Sequence, residues 1–142
     1  MDANTISTIA STAVSLLVPF LKSILDAIGQ KTGEEIGSKT GSLAWEKAKL
    51  MHNTIKAKFS SIPEATKILD ALEETPHDSD TQAALRFQMK DVLARDESFA
   101  KELAFILKEA SEAGADMIFQ TTIMGNVQKL VQMGNVYGDV KI

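Results

Sequence analysis

The chain has 142 residues, 44% of them apolar and 24% charged, with a formal net charge of −4 and no cysteine. This is the size and composition of one soluble globular domain with a single core. The missing cysteines exclude disulfides and thiolate metal sites, in keeping with a reducing cytosol.

Charge is unevenly spread. Residues 1–59 hold seven lysines against five acids, a balance of +2, whereas residues 60–116 hold thirteen acids against six bases, a balance of −7. Arginine occurs only at Arg86 and Arg95 and aromatics are few, so there is no stripe of the kind that binds nucleic acid. The lysines between Lys31 and Lys58 lie beside an apolar stretch, a combination that suits an anionic membrane surface, although a solvated helix face has the same composition. His52 and His77 read as surface or packing residues.

The first predicted element is an apolar helix. No charge occurs from Ala3 to Leu21, and the run continues past Lys22 and Asp26 to Ile28. That reaches the ~20 residues needed to span a bilayer. Asp2 stands where a signal peptide has basic residues, and no good cleavage site follows. Serine and threonine dilute the run, and Pro19 is expected to kink it. Two compatible readings follow: a buried central helix, apolar all round, or a membrane-inserting helix carrying Ile9, Val14, Leu16, Leu17, Val18, Phe20, Leu21 and Ile24. The first can be the resting state of the second.

Gly29, Gly33, Gly37 and Gly41 follow at steps of four, which on a helix place residues on one face. Gly37 and Gly41 would share a stripe with Ala44, Ala48, Met51 and Ile55. Such a ridge allows close packing of a second helix on the first. It would also weaken that helix, at about 1 kcal/mol per glycine, and could serve as a hinge.

Three shorter helices are expected next. Pro63 opens one with Ala65, Ile68, Leu69 and Leu72 inward. The turn-rich ETPHDSD leads to another, with Leu85, Met89, Val92 and Leu93 inward. Asp96 caps the last, which turns Phe99, Leu103, Ile106, Leu107 and Ala110 inward and stops at Gly114. The fold class is therefore all-α, a four- to five-helix bundle over residues 1–114. No phosphate loop, GxSxG, HExxH or Cys-His arrangement occurs, so the expectation is no enzyme, no cofactor, no metal site and no small-molecule substrate.

After Gly114 the composition changes. Residues 117–128 are uncharged, and the word MGNV occurs twice, nine residues apart. Runs rich in β-branched and amide side chains stack as cross-β, with amide ladders and dry apolar zippers. Nine is odd, so the two copies face the same way only if the chain bends between them, at Gly125, Gly134 or Gly138. The expectation is a tail over 115–142, disordered as a monomer and cross-β when assembled with other copies. A terminal hairpin, or a helix continuing from residue 115, is the alternative.

Val131-Gln132-Met133-Gly134 resembles the (Val/Ile)-Gln-(Val/Ile)-Gly core of the RHIM motif of animal necroptosis proteins. Gly125-Asn126-Val127-Gln128, together with Gly134-Asn135-Val136-Tyr137-Gly138-Asp139-Val140, is similar to bacterial amyloid signalling sequences. Tyr137 stands where RHIM has an asparagine, and Asn135 directly follows Gly134. Those bacterial motifs close proteins whose helical N-terminal region is called the Bell domain. The uncharged start, the Pro19-Phe20-Leu21 step and the Gly/Lys-rich stretch to Lys56-Ala57-Lys58-Phe59 resemble that domain too.

The resemblance implies kinship with HeLo- and MLKL-type executioners of regulated cell death. It implies a bundle, cytoplasmic at rest, that permeabilises the cell membrane once an NLR-type receptor with a matching motif templates its tail. The partners would be further copies of the chain, the receptor and membrane lipids. A non-lytic amyloid adaptor, and a helical interaction module whose tail is a docking strand, are the alternatives.

Overall fold

A computed structural model describes residues 2–30 and 43–119. Among these are six helices and no strand: α1 (Ala3–Gln30), α2 (Leu43–Phe59), α3 (Pro63–Glu74), α4 (Ser79–Arg95), α5 (Glu97–Glu112) and α6 (Ala115–Phe119). The protein is an all-α bundle in which α1 packs against all five other helices.

Three helices begin at an aspartate whose side chain stands in for a missing backbone partner, and a fourth begins at a proline. Asp2 caps α1, its Oδ1 accepting from the Thr5 amide at 2.7 Å. Pro63 sits in the first turn of α3, where an absent N–H costs nothing. The corner before it is closed by Thr66 Oγ1 donating to the Phe59 carbonyl at 2.6 Å. Asp78 caps α4 by accepting from the Thr81 amide at 3.0 Å. Asp96 both ends α4, donating its amide to the Val92 carbonyl at 3.0 Å, and begins α5, accepting from the Phe99 amide at 3.0 Å. One residue therefore serves as a corner between two helices.

The inward stripes follow the sequence periodicity. Ala65, Leu69, Leu72, Leu85, Met89, Val92, Leu93, Phe99, Leu103, Ile106, Leu107 and Ala110 are all buried, with Ile68 packed partly exposed at the edge. On α2 the buried stripe is Ala44, Ala48, Met51, Ile55 and Phe59.

Two expectations change. First, α1 is central without being apolar all round: Asn4 and Ser15 are exposed, and Ser7, Thr8 and Ser11 half-buried, along one seam. Pro19 stands inside this helix, which continues to Gln30. Second, the helical body does not stop at residue 114. Gly114 adopts φ +91°, a left-handed conformation that L side chains rarely adopt, and redirects the chain into α6. Ala115 and Phe119 of α6 are buried, so the bundle reaches Phe119. Helix resumes there because Ala115, Ile118 and Phe119 place one apolar edge against α1, α2 and α5.

Candidate functional site: α1 and its cover

α1 is the one helix among the described residues long and apolar enough to cross a bilayer, over Ala3–Leu25. At 1.5 Å per residue those 23 residues extend about 35 Å, slightly more than a hydrocarbon core. The bundle turns most of this apolar surface inward. Ile9, Val14, Leu16, Leu17, Phe20 and Leu21 are buried, and Val18 and Ile24 pack partly exposed against the same core. All eight positions expected to enter lipid thus line the protein interior.

Hydroxyl groups on α1 bond within the helix. Thr8 Oγ1 donates to the Asn4 carbonyl at 2.9 Å, Thr12 Oγ1 to the Thr8 carbonyl at 2.6 Å, and Ser23 Oγ to the Pro19 carbonyl at 2.9 Å. Each partner lies four residues earlier in the same helix, so the bonds move with the helix wherever it goes. Among the described residues, no buried side-chain N or O lacks a partner.

Phe20 lies at the centre of an aromatic cover. Its ring centroid is 4.9 Å from Trp45, 5.8 Å from His52 and 6.2 Å from Phe119, the last two edge-on. Phe119 also stacks on Trp45 at 6.3 Å with 28° between the planes. Such pairs contribute about 0.5–1.5 kcal/mol each beyond the area they bury. Three helices, α1, α2 and α6, meet in this cluster. Periodicity does not reveal it, because it joins residues far apart in sequence; the signal available was Ala115, Ile118 and Phe119 at helical spacing after Gly114.

The lysines expected to meet an anionic leaflet are engaged elsewhere. Lys47 Nζ is 3.1 Å from Glu109 of α5, and Lys56 Nζ is 3.3 Å from Glu73 of α3. Glu73 also meets His52 Nε2 at 2.8 Å. Lys58 pairs with Asp96 and lies 5.9 Å from the centre of the Phe99 ring. The Lys58 ammonium, followed by the Phe99 amide, holds the Asp96 carboxyl below the usual carboxylate range. The uneven charge of the two halves is thus folded together, with α2 cations against α3 and α5 acids. Lys49 is exposed on the outer side, and Lys31 and Lys39 lie outside the described residues.

An open groove of about 540 Å³ runs between the end of α2 and the start of α5, with Asn53, Lys58, Asp96, Phe99 and Glu102 along it. Among the described residues, no group of three or more His, Asp or Glu is placed to hold a metal. Of the four glycines expected to form a ridge, Gly29 falls in the last turn of α1, while Gly33, Gly37 and Gly41 lie outside the described residues. So do all the expected assembly residues, Gly125 to Gln128, Val131 to Val136, and Gly138.

Compared with protein-family models, curated proteins and solved structures, the chain matches none of them.

Proposed function

We propose that the chain is a membrane-permeabilising effector of regulated cell death in bacterial immunity. Assembly of its C-terminal segment into cross-β gates α1, and an NLR-type receptor with a matching motif templates that assembly. The reading rests most heavily on α1, a span of membrane length that is uncharged from Ala3 to Leu21 and in which Thr8, Thr12 and Ser23 bond to carbonyls of their own helix.

Magnitudes decide how α1 would leave. Burying its six innermost apolar side chains contributes about 1.5–3 kcal/mol each, roughly 9–18 kcal/mol together. That equals the whole stability of an ordinary domain, about 5–15 kcal/mol. Exit into water is therefore forbidden, and exit requires lipid as the receiving solvent. Cross-β stacking supplies the drive. It repeats about every 4.8 Å, whereas a bundle is about 20 Å across, so assembled copies cannot all remain seated beside their strands. Crowding at a bilayer then exchanges the protein interior for hydrocarbon.

Leakage of dye from anionic vesicles tests this, with Ser15→Lys as the informative variant. Ser15 is exposed in the bundle but central in the span, so the substitution spares the fold and places a charge at the middle of the membrane. Seeded wild-type protein should release dye and the variant should not. Equal leakage from both would remove α1 from the mechanism.

A second reading has its own support. α1 is buried as thoroughly as any helix of the bundle. A closed bundle serving as a non-lytic adaptor, recruiting a partner through the same assembly, accounts for that burial. Intact vesicles after complete fibril formation would favour it.

A further inference from the structure

We infer that α6 is an autoinhibitory latch, in which Phe119 clamps Phe20 so that tension on the chain beyond residue 119 reaches the buried second half of the α1 span first. The inference deepens the proposed function and relies on it only for what release of α1 accomplishes.

α6 has five residues, too few to be a stable helix alone. It is held by one edge: Ala115 and Phe119 are buried, Ile118 packs partly exposed, and Met117 on the other side is 86% exposed. Gly114 is the pivot. Its φ of +91° makes the bend between α5 and α6, and its own backbone ties there are local: its amide donates to the Ser111 carbonyl at 3.0 Å, and its carbonyl accepts from the Met117 and Ile118 amides at 3.1 and 3.2 Å. Phe119 is at the end of this lever, against Phe20 of α1 at 6.2 Å and Trp45 of α2 at 6.3 Å. Pulling it away uncovers both rings together. The remaining contacts of Phe20 in the cluster, Trp45 and His52, belong to α2 alone, so the α1–α2 seam loses its third wall. A small element with one buried edge opens locally at a fraction of the cost of global unfolding.

The experiment uses the full chain in lipid-free buffer with Phe119→Ala, and with Met117→Ala as a neighbour on the exposed side. Trp45 is the only tryptophan, so its emission reports directly on the cluster. Phe119→Ala should shift that emission to the red and speed amide exchange across residues 9–24 about tenfold or more, the equivalent of its two lost aromatic pairs, with helix content retained. Met117→Ala should behave as wild type. Unchanged emission and exchange in Phe119→Ala would overturn the latch. So would loss of helix throughout the chain, because α6 would then be one part of a single cooperative core. If exchange quickens yet vesicles stay intact, the latch stands and the membrane reading fails.

Discussion

α1 and α5 are both core helices, and they solve the problem of their outer face in opposite ways. α5 buries Phe99, Leu103, Ile106 and Leu107 and covers its other side with six charged residues from Glu97 to Glu112. α1 buries a comparable apolar face, but its outer seam of Asn4, Ser7, Thr8, Ser11 and Ser15 carries no charge. In water the two arrangements serve equally. In lipid they diverge, because a charge at a bilayer centre costs about 2.5–3.5 kcal/mol. Moving α5 into a membrane would incur that cost in full for the charges near its middle and in part for those at its ends. From Ala3 to Leu21 α1 incurs none of it, and its first charge, the exposed Lys22, lies near one end of the span. Burial alone therefore says nothing about whether a helix can enter lipid; the chemistry of the outward face bears on that.

The largest expected effect probes what the two helices share. Leu17→Ala and Leu107→Ala each remove a fully buried side chain. Each should lower the unfolding free energy by about 2–5 kcal/mol in chemical denaturation. A loss below about 1 kcal/mol for Leu17 alone would show that α1 is loosely seated and break the equivalence.

Acid sharpens the contrast. Asp96 has a carboxyl lowered in the folded state, chiefly by Lys58 and then by the Phe99 amide. A lowered folded value means that its contribution is fully present above the ordinary Asp range and disappears as pH falls through the folded value. Asp2, held down by the Thr5 hydrogen bonds, gives α1 a dependence of the same sign. Acid thus weakens the starts of both helices, but only at α5 does it also cut a tie to α2. Asp96→Asn should flatten the acid limb of a stability–pH curve recorded by denaturation. A curve as steep as that of wild type would place the dependence elsewhere.

The smallest stability effect belongs to the substitution with the largest proposed consequence. Ser15→Lys should change the unfolding free energy by no more than about 0.5 kcal/mol, since an exposed site tolerates a lysine. A much greater loss, measured on the same denaturation curve, would mean that the seam is covered and that the outer face of α1 is not what it is taken to be here.

Much of the bundle was legible in the sequence. Pro63, Asp96 and Gly114 mark helix ends by chemistry that acts within a few residues, and the stripes of α3, α4 and α5 are local periodicities. What escaped was non-local. The uncharged, β-branched stretch after Gly114 concealed α6, whose helix depends on burial of Phe119 more than on propensity. The lysines of α2 looked available for lipid because their partners, Glu73, Asp96 and Glu109, lie 17 to 62 residues further on. The span of α1 was plain from composition, but its amphipathic seam required knowing which neighbours cover which side.

Those ion pairs have a consequence for timing. While Lys47, Lys56 and Lys58 remain matched, a bilayer rich in acidic lipid faces a protein of its own sign, and the mismatch is felt within about 8 Å at physiological salt. Parting α2 from α3 and α5 would bare three ammonium groups on α2 and their carboxylate partners on the other helices, leaving the net charge at −4 but making the freed face of α2 locally positive. On the proposed function, whatever opens the bundle would also decide when the face of α2 becomes adhesive.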